Sequence, residues 1–325
     1  MNTRSRRRPR STAARASPRL LKLKSLRHLA LRLDLPVRLL EDVGRYAPLH
    51  YEPSRYRAKK DTGAKPRELH VPKPLLKRIQ RRINQVLLAD LWLPDSIHSY
   101  RRERSTKTAA LPHAGQGFLW HGDIRDFYPS ISHVRVYKIF TNLGCSPDVA
   151  RVLTQLTTYR HRLPQGAPTS PGLANAYLMV SGLAARLEGL ARKEGLSISL
   201  FGDDILVSSR RSLRGFEAQF KRIVTAAGLR LHSGKTLPTL GPDERHMALG
   251  ILMNSGDGVL DVPRSYRREV KSLIRLCQKF GPGALAKCGV TNKDPKSFIV
   301  GKIGYAVHIN PRHRDLYAEL DRIEW

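Results

Sequence analysis

Apolar residues recur at helical spacing in several separate stretches of the chain. From Leu20 to Leu40 the leucines return every three or four residues, which predicts a first pair of helices. Residues 74–93 place apolar side chains on one face and basic ones on the other, a pattern typical of an amphipathic helix. Similar periodicity predicts helices over 172–194, 213–227, 265–280 and 297–309.

Short apolar or alternating stretches separate these helices. Residues 56–72 predict a strand, a turn at Asp61-Thr62-Gly63 and a second strand. Residues 117–131 and 196–208 are apolar segments that run into acidic residues, and Gly202 marks a tight turn between two strands. Helices that alternate with hairpins indicate an α+β fold with an antiparallel sheet rather than a doubly wound parallel sheet.

The charge balance is strongly basic. The 325 residues include 58 Lys and Arg against 27 Asp and Glu, a formal net charge of +31. This excess predicts a polyanionic partner, and a hydrophobic content of 41% excludes a wholly disordered basic protein. Apolar runs stay shorter than the roughly 20 residues that a membrane-spanning helix needs. These features predict a soluble globular protein that binds nucleic acid.

Composition also divides the chain into three regions. Residues 1–19 are rich in Arg, Ser and Pro without an acidic residue, which predicts a mobile basic tail; an organellar transit peptide has the same composition. Residues 20–255 form the main α+β region, and residues 256–325 form a separable basic helical module. Because the three cysteines lack CxxC spacing, we expect no disulfide framework and a cytoplasmic location.

Three aspartates stand out because apolar strands carry them. Asp123 follows the stretch FLWHG, and Asp203 and Asp204 lie at the turn of LFGDDILV. A lone aspartate in a turn usually serves the turn itself, but carboxylates beside buried strands are costly unless a cation neutralises them. In a protein that binds nucleic acid, a pair of Mg²⁺ ions shared with substrate phosphates is the economical partner.

The sequence blocks around these aspartates resemble the palm of a reverse transcriptase. Residues 123–131 are DIRDFYPSI, residues 163–171 are LPQGAPTSP and residues 201–204 are FGDD, in the family's order and spacing. The likeness extends from about Lys59 to the C-terminus. It implies an RNA-directed DNA polymerase with a right-hand fold, in which fingers and an antiparallel palm sheet occupy residues 20–255 and a helical basic thumb occupies residues 256–325.

The resemblance implies a metal site built from the three aspartates. Asp123 and Asp203 ligate both ions, helped by the backbone carbonyl of Ile124, and Asp204 supports the primer-side ion more loosely. Lys235, in the stretch HSGKT, is implied to lie near the leaving pyrophosphate.

Further residues are implied to bind the incoming nucleotide. Lys59 (or Lys60) and Arg67, on the early hairpin, clamp the triphosphate as a cationic fork, although a solvated basic hairpin has the same composition. Gln165 and Gly166 position the template and the nucleotide, and Gly166 permits close approach of a backbone.

The residues after the first aspartate complete this nucleotide site. The resemblance implies that Asp126, Phe127 and Tyr128 line it, and that the ring of Tyr128 collides with a ribose 2′-hydroxyl and thereby selects deoxynucleotides. Packing in the core is the alternative role for Tyr128 and the expected role for the ring of Phe127. His113 and His121 are expected to be structural.

The sequence Gly202-Asp203-Asp204 also occurs in RNA-dependent RNA polymerases, so the motif alone leaves both classes open. Those enzymes use a Ser-Gly middle block, whereas this chain has Gln165-Gly166 and an aromatic residue at the sugar gate. This combination favours DNA synthesis.

The plan of the chain resembles a bacterial retron reverse transcriptase. Residues 104–113 (RSTKTAALPH) are similar to the retron block that ends in Asn-Ala-x-x-His, with Ala109 in place of the Asn. Residues 248–251 (ALGI) replace Val-Thr-Gly, and Phe201-Gly202 replaces Tyr-Ala. Another defence-associated or group II intron-like reverse transcriptase, or a non-catalytic RNA-binding scaffold, therefore stays open.

The retron resemblance implies particular partners. The template is a structured non-coding RNA whose internal 2′-hydroxyl primes synthesis from dNTPs, giving branched RNA–DNA (msDNA), and a toxic effector acts with it in antiphage defence. A basic helix near the C-terminus carries the residue types that read structured RNA through backbone and stacking contacts. We expect its RNA-binding residues to be Arg264, Tyr266, Arg267, Arg268, Lys271 and Arg275.

Overall fold

A computed structural model describes residues 21–56, 67–255, 258–287, 290, 294–323 and 325. For residues 53–56, 67–68 and 287 it describes the backbone alone. The predicted basic tail and the turn at residues 61–63, together with Lys59 and Lys60, lie outside the described residues.

The secondary structure alternates helices with short strands along the chain. The helices are α1 (Leu26–Leu33), α2 (Val37–Arg45), α3 (Pro74–Ile83), α4 (Thr106–Ala110), α5 (Phe127–Ser130), α6 (His133–Asn142), α7 (Pro147–Thr157), α8 (Ser170–Val180), α9 (Leu183–Glu194), α10 (Glu217–Ala226), α11 (Arg264–Phe280), α12 (Ala284–Lys287), α13 (Pro295–Ile309) and α14 (Asp315–Leu320). The strands are β1 (Tyr51–Tyr56), β2 (Arg67–Pro72), β3 (Phe118–Asp123), β4 (Ser197–Phe201), β5 (Asp204–Ser209), β6 (Met247–Ala248) and β7 (Ile251–Leu252). The mixed helix and antiparallel-sheet composition confirms the predicted α+β class.

The central sheet has the order β3–β5–β4, with antiparallel pairing throughout. Isolated bridges extend both of its edges. Ile97 pairs in parallel with Leu200 beside β4, and the segment 231–240 runs along β3 through the pairs Ile124–Leu231 and Leu119–Leu240. This segment therefore lies along the strand that ends in Asp123.

Two predicted helix boundaries are wrong for local reasons. The apolar pattern over 172–194 continues without a break, but the chain forms α8 and α9 separated at Gly182, whose φ of +74° lies in the left-handed region. The pattern over 74–93 also ends early, because α3 gives way to a single π-helical turn at Asn84–Leu88.

The main core fills the space between the sheet and the surrounding helices, with Trp120, Phe140 and Phe220 among its largest fully buried side chains. The Trp120 ring covers Gly122 so closely that a Cβ there would meet it at 2.5 Å. A separate apolar cluster joins α11, α13 and α14. A third cluster connects the sheet, through residues such as Leu206, to β7 and α13.

Candidate functional site

The hairpin geometry brings the three aspartates to one end of the central sheet. Asp123 is the last residue of β3 and pairs directly with Asp204, the first residue of β5. Asp203 occupies the two-residue turn that joins β4 to β5, after Gly202 at φ +63°. A glycine with positive φ at the first turn position suits the twist of a hairpin. The backbone N–H of Ile124 donates to the carbonyl of Asp203 at 2.8 Å, which ties the turn to the end of β3.

Two basic side chains contact this carboxylate group. The Nζ atom of Lys235 lies 3.4 Å from Oδ2 of Asp123. His121 Nε2 lies 2.6 Å from Oδ1 of Asp204. Lys235 reaches the site because the N–H of His232 donates to the Asp123 carbonyl at 2.8 Å and the N–H of Leu237 donates to the His121 carbonyl at 3.1 Å.

Asp203 is the aspartate of this group whose negative charge is disfavoured by its surroundings. Burial raises the pKa of its carboxyl, the negative charges of Asp204 and Asp123 raise it further, and Lys235 opposes them. The site thus concentrates negative charge that a bound cation would relieve.

The donor set fits Mg²⁺ that is shared with a substrate. Among the described residues, no three acidic, histidine or cysteine side chains enclose an ion by themselves. Asp123, whose side chain is 11% exposed, Asp203 and the Ile124 carbonyl offer hard oxygen donors from the protein. Magnesium usually takes only one or two carboxylates and completes its octahedron with water and phosphate oxygens.

The aromatic pair after Asp123 divides into a buried core residue and a half-buried residue. Phe127 is 4% exposed and packs in the main core, so its ring is not available to a nucleotide. Tyr128 is half-buried, and its hydroxyl donates to the hydroxyl of Tyr100 at 3.0 Å. Asp126 is exposed in a left-handed conformation beside Arg125, with which it forms an ion pair at 3.5 Å.

The loop that carries Gln165 and Gly166 docks against the early hairpin. The N–H of His70 on β2 donates to the Gln165 carbonyl at 2.8 Å. Gly166 has a φ of +104°, and a Cβ there would lie 3.3 Å from the His70 carbonyl oxygen. The Ser170 hydroxyl closes the loop by donating to the Pro164 carbonyl at 2.6 Å. Arg67 begins β2 on this same hairpin, and Lys59 is not described.

Two of the basic side chains of α11 form ion pairs with residues of α14. Arg267 forms an ion pair with Asp315 at 2.8 Å, and Lys271 forms one with Glu319 at 2.7 Å. Tyr266 packs inward, with its hydroxyl donating to the Lys302 carbonyl. The remaining three predicted residues are exposed to solvent: Arg264, Arg268 and Arg275.

The sequence analysis expected a structural role for His121 and missed its contact with Asp204, and it did not single out Tyr100. Strand alternation places His121 and Asp123 on one face of β3, so the sequence does contain a signal for His121. Tyr100 and Tyr128 are 28 residues apart in the sequence, and no local sequence pattern predicts their contact.

Comparison with known proteins shows to which protein family the chain belongs. The sequence model of the family described as reverse transcriptase (RNA-dependent DNA polymerase) matches residues 58–253, which include the three aspartates and the sequence blocks 123–131, 163–171 and 201–204. The chain belongs to this family and is an RNA-directed DNA polymerase by class. The family implies a right-hand polymerase fold.

The more particular likeness is to retron enzymes. The chain is 29% identical to the Retron Ec86 reverse transcriptase of Escherichia coli over 66% of this chain and 67% of that protein. It is 35% identical to the Retron Mx65 reverse transcriptase of Myxococcus xanthus over 52% of this chain and 44% of that protein. Against the Retron Se72 reverse transcriptase of Salmonella heidelberg the identity is 29% over 79% of this chain and 68% of that protein. These relatives confirm the retron-type resemblance.

Among the described helices, none combines the length and the apolar character that crossing a membrane requires.

Proposed function

We propose that this protein copies a structured non-coding RNA into single-stranded DNA as the polymerase of a retron-like system. The observation that carries the proposal is the meeting of Asp123, Asp203 and Asp204 at one end of a sheet in a chain similar to several retron reverse transcriptases. The site is proposed to bind two Mg²⁺ ions through Asp123, Asp203 and the Ile124 carbonyl, with Asp204 contributing more weakly. When bound, such ions activate a 3′-hydroxyl and stabilise the leaving pyrophosphate.

The protein's own residues orient the reactants. His121 is proposed to hold the Asp204 carboxylate through their 2.6 Å contact, and Lys235 is proposed to interact with the departing pyrophosphate. Gln165 and Gly166 are proposed to align template and nucleotide, since their loop is fixed to β2. The ring of Tyr128 is proposed to exclude the ribose 2′-hydroxyl.

We propose which elements form the fingers, palm and thumb of the right-hand polymerase fold. The β1–β2 hairpin belongs to the proposed fingers, and Lys59 and Arg67 are proposed to hold the triphosphate there. The central sheet is the proposed palm, and α11 to α14, with their own apolar cluster, are the proposed thumb.

The three exposed arginines of α11 are the proposed RNA contacts of the thumb. Arg264, Arg268 and Arg275 follow one another at spacings of four and seven residues, which places them along one side of the helix. Arg267 and Lys271 also join α11 to the last helix, and we propose that they support RNA binding mainly by fixing α11 in place.

The retron character of the product is testable directly. The protein purified from its native host should carry one short folded RNA that is joined covalently through a 2′-hydroxyl to its own DNA product. The proposed location of the protein is the cytoplasm. Its gene is proposed to lie next to a gene for an antiphage effector. Sequencing the co-purified nucleic acid with and without a debranching enzyme tests for the covalent linkage. Heterogeneous cellular RNA without attached DNA would leave a general reverse transcriptase.

A charge reversal distinguishes specific binding of the cognate RNA from non-specific binding of the primer–template duplex. Arg268→Glu should abolish use of the cognate RNA while extension of a pre-annealed primer survives. Arg222→Glu, at an exposed position of α10, is the matched control for net charge. Equal loss on both substrates would show that α11 only holds the primer–template duplex.

A further inference from the structure

The hydroxyl of Tyr128, a half-buried residue, has a specific partner that the proposed function does not use. Its O–H donates to the hydroxyl of Tyr100 at 3.0 Å. Tyr128 packs against the main core, whereas the Tyr100 side chain is 62% exposed. An exposed ring buries little apolar surface, so core packing does not account for the placement of Tyr100.

The backbone of Tyr100 is in an unfavourable conformation. Its φ of +53° lies in the left-handed region, which is uncommon for a bulky residue other than glycine. Such conformations are energetically costly and persist only where the surroundings impose them. The loop therefore holds Tyr100 in place at some cost.

Both neighbours of Tyr100 are fixed to the protein. On one side, the Ser99 hydroxyl donates to the Asn175 side-chain oxygen at 3.0 Å, and the Asn175 amide returns a hydrogen bond to the Ser99 carbonyl at 2.7 Å. On the other side, Arg101 donates to the carbonyls of Pro94 and Ile97 at 2.8 and 2.7 Å. Asn175 is on α8, directly after the loop of Gln165 and Gly166.

We propose that Tyr100 is a positioning residue that fixes the ring of Tyr128 and so sets how strictly the site discriminates deoxynucleotides from ribonucleotides. The inference rests on the proposed sugar gate at Tyr128. Tyr100 acts through Tyr128 and touches no substrate in this account.

The rotational freedom of the Tyr128 ring determines how strictly it excludes a ribonucleotide. A ring excludes a 2′-hydroxyl only while it stays in place, and small rotations of an aromatic side chain open space at its edge. The hydrogen bond to the anchored Tyr100 opposes such rotation. Burial of Tyr128 raises the pKa of its phenol, as does the contact with Tyr100, so the hydroxyl keeps the proton that it donates.

The test is the ratio of kcat/KM for a dNTP to that for the matching rNTP. Tyr100→Phe keeps the ring and removes the hydroxyl that accepts the hydrogen bond. Since one hydrogen bond contributes about 0.5–1.5 kcal/mol, the ratio should fall by roughly threefold to tenfold. Tyr46→Phe, at a tyrosine that is 54% exposed at the end of α2, is the control and should leave the ratio at the wild-type value.

A double-mutant cycle shows whether Tyr100 acts through the hydroxyl of Tyr128. In a Tyr128→Phe background, which lacks the donated proton, Tyr100→Phe should cause no further change. An unchanged ratio in the single variant, or an equal fall in both backgrounds, would overturn the inference. Tyr128→Ala separates the two levels: if it leaves discrimination intact, the gate is elsewhere, and if it abolishes discrimination while Tyr100→Phe has no effect, only the role of Tyr100 fails.

Discussion

At the scale of single residues, Asp203 links the stability of the protein to its metal site. Its pKa is raised in the folded protein, so its contribution to folding is present at acidic pH and is lost as the pH rises through the folded-state value. At neutral pH the ionised carboxylate therefore opposes folding. Asp203→Asn should raise the melting temperature in the absence of metal at pH 7, and this gain should shrink as the pH falls toward 4.

Mg²⁺ should offset the destabilising effect of the ionised Asp203 carboxylate. The ion should raise the melting temperature of the wild type more than that of Asp203→Asn, because it neutralises a charge that the variant lacks. Thermal melting with and without Mg²⁺ measures the difference, and Asp42→Asn, at an exposed position of α2, is the control. Equal shifts in all three proteins would exclude Asp203 as a ligand.

Tyr128 is the residue on which sugar selection is expected to depend. Tyr128→Ala vacates the space that a 2′-hydroxyl would occupy, so incorporation of ribonucleotides relative to deoxynucleotides should rise by roughly a hundredfold, a cost of about 2.7 kcal/mol in discrimination. Single-nucleotide extension with each substrate measures the ratio. An unchanged ratio would assign the gate to another side chain.

At the scale of elements, the loop of Gly166 depends on a backbone conformation that residues other than glycine rarely adopt. Gly166→Ala adds a Cβ 3.3 Å from the His70 carbonyl at a φ of +104°, so it should destabilise the protein by about 1–3 kcal/mol and reduce polymerisation. Gly189→Ala, within α9 where a Cβ meets nothing within 4 Å, should instead stabilise by about 0.5–1 kcal/mol. Denaturant unfolding of both variants tests the contrast, and similar effects would contradict it.

Elements whose signals are local could be predicted from the sequence. The turn at Gly202 and Asp203 follows from two apolar strands around a glycine, and α11 and α13 follow from their periodicity. The break at Gly182 could not be predicted, because the apolar pattern continues across it. The 3.4 Å contact of Lys235 with Asp123 depends on a segment that returns to β3 from 112 residues away, so only the family resemblance pointed to it.

At the scale of the whole molecule, the net charge of +31 governs the encounter with RNA. With about six to ten phosphate contacts, affinity should fall by roughly 10³-fold or more between 50 and 200 mM salt. Filter binding over a salt series measures the slope. A shallow slope would show that the excess charge lies away from the RNA.

Composition predicted this partner class but not how the charge is distributed. The sequence shows six RNA-binding candidates on one helix, and the fold places Arg267 and Lys271 in ion pairs with α14 and turns Tyr266 inward. The acidic partners Asp315 and Glu319 are 48 residues away from those basic residues, beyond the reach of helical periodicity.

Primer extension on an RNA template with dNTPs is the measurement that tests the central claim most directly. The wild type should synthesise DNA only when Mg²⁺ is present, and Asp123→Asn or the double variant Asp203→Asn with Asp204→Asn should lose activity by roughly a thousandfold, since each keeps the side-chain shape and removes charge at the reacting centre. Each variant should keep the circular dichroism spectrum of the wild type. Full activity in a folded variant, or extension by the wild type without a divalent ion, would contradict the assignment of these aspartates.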